Sequence, residues 1–182
     1  RFFTNYSKHP HNLELIRKLK MNIGGISKLS KERLFDELKK ISQSENLEKI
    51  AKNKISLELF QIIFPELKNI IIFSKLNSYK RSILEENDFI FMLSLMIIDD
   101  SDNTDYFFYK FNISKKKQRR IELIKDFYFN KNPSIKFNSK NLWKIFYFNG
   151  KEGLIDILNY KIFTSKKFDK SLVNQINYFK DK

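Results

Sequence analysis

The chain has 182 residues and no cysteine, so a disulfide framework and a thiolate metal site are both excluded, and a reducing compartment, the cytoplasm by default, is expected. Its apolar fraction of 42%, with 19 Phe and 8 Tyr, excludes a disordered tail, while 4 Gly and 3 Pro leave little punctuation for hairpins and favour helices. The net charge of +14 hides a division, because residues 82–109 hold seven acids and no Lys or Arg, leaving +21 (the net less those seven negative charges) on the rest.

The first residue is Arg1 and no charged-then-apolar leader follows it, which reads as a fragment or a processed chain. His9 and His11 flank Pro10 with Glu14 a turn beyond, too few ligands for a metal site, so a turn with partly exposed imidazoles is expected. Leu13, Ile16, Leu19 and Ile23 recur at spacings of three and four, predicting an amphipathic helix that Gly24 and Gly25 end. In KLSKERLFDELKKI, residues 28–41, Ser30 is placed to cap a second helix and Leu29 and Leu34 to staple it, while Glu32 sits in the first turn, where the helix dipole favours an anion. Arg33 and Glu37 are one turn apart, near enough to pair. Residues 45–54 read as a short polar helix, and Ile55 to Phe64 as an apolar one that must stop at Pro65, with a further helix from Glu66 to Leu76.

The run FIFMLSLMII, Phe89 to Ile98, falls far short of the ~20 residues that cross a membrane, so it reads as a core helix from about Glu86 to Ile98. The polar loop DDSDNTD follows. Asp100 and Asp102 have the D-x-D spacing of a two-metal site, but such a pair belongs on a strand of an α/β domain, and a calcium loop would need Gly at the sixth position and Glu at the twelfth. An inter-helix loop whose acids and Thr104 cap the next helix, Tyr106 to Phe111, is therefore expected, and no residue of the chain is assigned to a metal. Neither a nucleophile with a nearby base nor a Gly-rich phosphate loop is present, so no catalytic residue is assigned.

Ser114 is placed to cap a helix whose first turns carry Lys115, Lys116, Lys117, Arg119 and Arg120, where free backbone N–H groups also point outward. Asn132-Pro133-Ser134 reads as a linker. Three helices are then expected, NLWKIFYF, GLIDILNYKIF and SLVNQINYF, the first two parted by Gly150 and Gly153. Residues 136–182 carry ten Lys against four acids, and Lys136, Lys140 and Lys144 recur at helical spacing. These two basic sets attract a polyanion through counterion release, although a Lys- and Asn-rich composition bias raises the charge too, and a charge run is often only a solvated face. Most aromatics are expected on core-facing stripes, which leaves base stacking without support. The sum is an all-α fold, an elongated array of about eight to eleven short helices.

The order RFF, a helix, L-S-x-E-R-L-x-x-E-L-x-K and then I-F-P-E-L resembles the C-terminal portion of class II tRNA nucleotidyltransferases, the CCA-adding enzyme and bacterial poly(A) polymerase family. The residues concerned are Arg1, Phe2, Phe3, Leu29, Ser30, Glu32, Arg33, Leu34, Glu37, Leu38 and Phe64 to Leu67. FNGKEGLIDIL also looks like a helix junction near the end of some members. The resemblance implies a neck-like helical domain over 1–66, in which Ser30, Glu32, Arg33 and Glu37 brace a nucleotide pocket from behind, and a body- and tail-like region over 67–182 that holds the acceptor and T arms of tRNA. It implies a parent enzyme that adds CCA to tRNA 3′ ends from CTP and ATP, with magnesium bound in a catalytic head. The head's carboxylates and nucleotide-reading residues are not among residues 1–182, so the chain alone is expected to be inactive and without a cofactor of its own. The alternatives are a fragment of a bacterial poly(A) polymerase, and a non-enzymatic helical protein that docks a partner on the acidic stretch from Glu85 to Asp105. Oligomeric state is left open.

Overall fold

The computed structural model describes residues 13–42, 46–129, 137–165, 167 and 169–182. Among them are ten α-helices and no strand, as the helical spacings predicted. Helix α1 (Leu13–Asn22) passes at Gly24-Gly25 into a 3₁₀ turn, Ile23–Lys28, and α2 spans Lys31–Ser42. Ser30 opens α2 as expected: its Oγ accepts from the Arg33 N–H at 3.2 Å and its carbonyl from that of Leu34 at 3.1 Å. Helices α3 (Asn46–Lys52) and α4 (Lys54–Ile63) follow, α4 capped by the Asn53 side chain and ended at Phe64, before Pro65.

Beyond Pro65 the structure departs from expectation. In place of a helix from Glu66 to Leu76 there are turns and a 3₁₀ segment, Ile70–Ser74. The cause is tertiary: the Asn69 backbone N–H donates to the Met96 carbonyl at 3.1 Å and its side-chain amide to the Ile98 carbonyl at 2.6 Å, hooking this stretch to the end of another helix. The run Ile70-Ile71-Ile72 is also β-branched and weakly helical. A helix that the sequence reading lacked, α5 (Ser78–Glu86), comes next, capped by Asn77.

Helix α6 (Phe89–Ile97) starts later than expected, because the Asp88 carboxylate caps it by accepting from the N–H groups of Ile90 and Phe91. All nine of its residues are buried. Each large side chain so removed from water contributes roughly 1.5–3 kcal/mol, which makes α6 the hub of the fold. It packs against α2, against α7 (Asn103–Phe111) and against α8 (Lys115–Phe129). Helix α9 (Ser139–Thr164) lies against α5, α8 and α10 (Lys170–Lys180). One buried cluster runs from Leu38 of α2 to Phe179 of α10. Phe35 on α2 has its ring 5.4 Å from that of Phe89 and 5.8 Å from that of Phe111, so the residues before position 66 share this core with those after it.

Helix α9 breaks where its glycines stand. Gly150 has φ 79° and ψ 171°, a conformation open in practice to glycine alone, and it divides the helix into two arms. Gly153 lets the second arm press onto α8, since a Cβ there would lie 2.7 Å from the Leu123 side chain.

Candidate nucleic-acid interface

Helix α7 ends on Asn112 in the left-handed conformation (φ 49°), which turns the chain directly into α8. Ser114 contributes its carbonyl, which accepts from Gln118 N–H at 3.0 Å, and the Gln118 amide donates back to the Ile113 carbonyl at 2.7 Å. Ile121 and Ile124 are fully buried and set the helix's rotation. That rotation leaves Lys116, Lys117 and Arg119 exposed, with no side-chain partner among the described residues. Lys115 is exposed too and donates to the Gln118 side chain at 3.1 Å. These cations line a cleft of about 570 Å³ together with Asn149 and Gly153 from the break in α9 and with Asp88 and Glu152, whose carboxylates Arg120 engages.

Arg120 stands apart from its neighbours. Its side chain is 17% exposed and forks onto Asp156, Nε to one carboxylate oxygen and Nη2 to the other at 3.0 Å. Its Nη1 reaches Asp88 at 2.8 Å and Glu152 at 2.7 Å. Burial disfavours the guanidinium charge, but the Asp156 hydrogen bonds and the three carboxylates outweigh it and hold Arg120 above its ordinary range. Burial also pushes the Asp156 carboxyl, 2% exposed, up to about 6, against the pull of Arg120. A carboxyl at about 6 is still ionised at neutral pH, and the fork, which needs a charged carboxylate accepting on both oxygens, holds the two groups as an ion pair. Of the five cations grouped in the sequence, Arg120 thus ties α8 to α6 and α9 while the other four face outward.

Lys140 and Lys144 lie exposed on the first arm of α9, and Lys136 is outside the described residues, as are Arg1 to Phe3, His9, His11 and the Asn132 to Ser134 linker. On the same arm the expectation that aromatics point inward fails. Tyr147 is 81% exposed, Phe148 71% and Trp143 41%, and Tyr178 on α10, 48% exposed, stands 6.1 Å from Trp143, ring to ring. The core takes only Leu142 fully from this arm, because the Gly150 break ends the apolar stripe early. The signal was present: Lys140 and Lys144, like Trp143 and Tyr147, are four residues apart, and each Lys precedes a ring by three, which interleaves rings and cations on a single face.

On α2, Ser30, Glu32 and Arg33 are exposed and Glu37 is half-buried. The Glu32 carboxyl is held below the usual range by its own backbone N–H and then by the Ser30 hydroxyl. Glu37 pairs with Lys40 at 3.1 Å, the partner one turn on and not the one one turn back.

The DDSDNTD loop is an inter-helix connection. Asp99 accepts from Ser101, Asp105 pairs with Lys125 at 3.2 Å, and buried Asn103 donates to the carbonyls of Glu66 and Ile97, both at 2.8 Å. Thr104 is buried against Ile97 instead of capping α7. Asn103 is the residue that sequence reasoning missed here, since only its fold places it beside Glu66. Asp100 and Asp102 are exposed in a turn, and among the described residues no group of three or more His, Asp or Glu closes on a common point. Among the described residues no helix is long and apolar enough to cross a membrane.

Residues 9–71, covering α1 to α4 and the turn that follows, match the protein family described as the probable RNA and SrmB-binding site of polymerase A. This segment is similar to the RNA-binding region of polymerase-A-like proteins and fits the poly(A)- and CCA-polymerase family that the motifs resembled. No curated protein and no solved structure matches the chain.

Proposed function

We propose that this chain is the RNA-holding portion of a cytoplasmic tRNA nucleotidyltransferase that adds CCA to tRNA 3′ ends, with residues 1–66 as neck and 67–182 as body and tail. The observation that carries the reading is the match of residues 9–71 to an RNA-binding segment of polymerase A. The exposed cations at the start of α8 support it independently, because Lys116, Lys117 and Arg119 lie in the first turns of a helix and line a cleft, the arrangement that grips a phosphate backbone by shape and charge. Lys115, Lys140 and Lys144, and Lys136 with them, would extend that grip along the acceptor and T arms. Ser30, Glu32, Arg33 and Glu37 would act by holding the neck helices in position, without touching a reacting atom. Magnesium, CTP and ATP would be bound by the catalytic head of the parent enzyme.

A poly(A) polymerase parent is the second reading, favoured by the family's own description. The third, a docking protein using its acidic stretch, draws less support, since Glu86, Asp88 and Asp105 are engaged by Lys180, Arg120 and Lys125 of the same chain. The test is to express the complete gene that encodes this chain and incubate the product with magnesium, labelled CTP and ATP, and a tRNA lacking its 3′ end. Incorporation of C, C and A in order is the expected result. Tailing with A alone would move the assignment to the poly(A) branch, and no incorporation by a folded product would favour the docking protein.

A further inference from the structure

From the first arm of α9 and the facing turn of α10 we infer a second RNA contact of different chemistry, a stacking platform for unpaired bases. It rests on the RNA-binding reading above and adds to it which part of an RNA this face takes. Tyr147, Phe148, Trp143 and Tyr178 are the exposed rings of this face, and Trp143 is held in place by edge contacts at 5.5 Å to Phe146 and 5.2 Å to Phe179. The Tyr147 and Phe148 rings meet at 5.1 Å and 89°, so they present one flat face and one edge. Rings left in water at this density are unusual outside a binding surface.

Charge identifies the occupant. Neither Ser139–Asn149 nor Lys170–Lys180 contains an acid, while Lys140 and Lys144 alternate with the rings and Lys182 stands 5.3 Å over the Tyr178 ring. An apolar protein partner would gain nothing from this cationic frame, whereas single-stranded RNA supplies a flat face and a phosphate at every nucleotide. A duplex could use the lysines but not the rings, because its bases are already stacked on one another. The platform also adjoins the cleft of α8 along the chain: Phe148 precedes Asn149, which lines that cleft with Lys116 and Lys117. A strand leaving a duplex held at α8 would therefore meet the rings next. Beside them, a recess of about 260 Å³ is lined by Ser139, Ser171 and Asn174 as well as by Trp143 and Tyr178. That recess offers polar groups to a base edge.

The experiment compares the chain with Tyr147→Ala/Phe148→Ala on two probes, a single-stranded RNA 12-mer bearing 2-aminopurine and a blunt RNA duplex of equal length. Both side chains are largely in water, so the variant should fold, and its circular dichroism and melting temperature verify this. The expected result is quenching of 2-aminopurine by the chain, and a loss of single-strand affinity in the variant of roughly 10- to 100-fold with duplex affinity unchanged. Equal affinities of chain and variant for the single strand would overturn the platform while leaving the phosphate grip intact, provided the duplex still binds. Failure of the unaltered chain to bind either RNA would overturn the underlying reading instead. A dimer, seen by sedimentation without RNA and dissolved by the variant, would show that the rings face a second copy of the chain and would likewise overturn the proposal.

Discussion

Helix α6 and the first arm of α9 are both rich in large apolar side chains, yet α6 buries all nine of its residues and the α9 arm leaves Tyr147 and Phe148 in water. The difference lies in what is interleaved. No residue of α6 is charged and helices approach it from several sides, so every position can face protein. The α9 arm carries a Lys at each turn of its outer face, and a helix cannot bury a face that holds two ammonium groups without partners among the described residues. Aromatic content alone therefore says little about burial. The neighbours at three and four residues decide whether a ring belongs to the core or to the surface.

The sharpest way to break this comparison is to truncate one ring in each helix. Phe91→Ala should lose about 3–5 kcal/mol in urea denaturation, the range for a fully buried Phe, whereas Tyr147→Ala should stay within about 0.5 kcal/mol. A large loss at Tyr147 would mean that the arm is structural after all. Next in size is the clamp on Arg120. Asp156→Ala should cost about 3 kcal/mol, the low end for a broken buried pair, because Asp88 and Glu152 still reach the guanidinium.

At the break between the arms, Gly150→Ala should cost about 1–3 kcal/mol, because its φ of 79° strains any side chain. Gly153→Ala should cost only about 1 kcal/mol, since the atom in its way is the mobile end of Leu123. The smallest effect concerns acid. Hydrogen bonds from Arg81 and then Lys52 hold Glu48 below its ordinary value of 4.5, so its contribution to stability is present above that pH and is lost as pH falls through the lower, folded-state value. Glu48→Gln should therefore flatten the acid limb of the stability profile, read as melting temperature against pH.

Much of the fold was legible because its helices are built on apolar spacings of three and four and are punctuated by Ser30, Pro65 and Gly150. Helix α5 was hidden by a charged, weakly periodic sequence, SYKRSILEE, and the stretch after Pro65 by the grip of Asn69 on α6, a contact 29 residues away in the chain. The basic run of α8 was visible as a whole, but not its inward member. Arg120 differs from Arg119 only in facing Asp156, 36 residues further on. Helical spacing fixes which residues share a face, and packing alone fixes which face is inside.

Under the proposed function, Lys116, Lys117 and Arg119 hold RNA through its phosphates. The most direct measurement is the affinity of the chain for a tRNA minihelix as a function of salt, repeated with all three residues replaced by Ala. Binding by the unaltered chain should weaken steeply with salt, and the folded triple variant should bind more weakly with a salt slope shallower by about one per lost contact. An affinity that does not change with salt, or a variant with an unaltered slope, would contradict this.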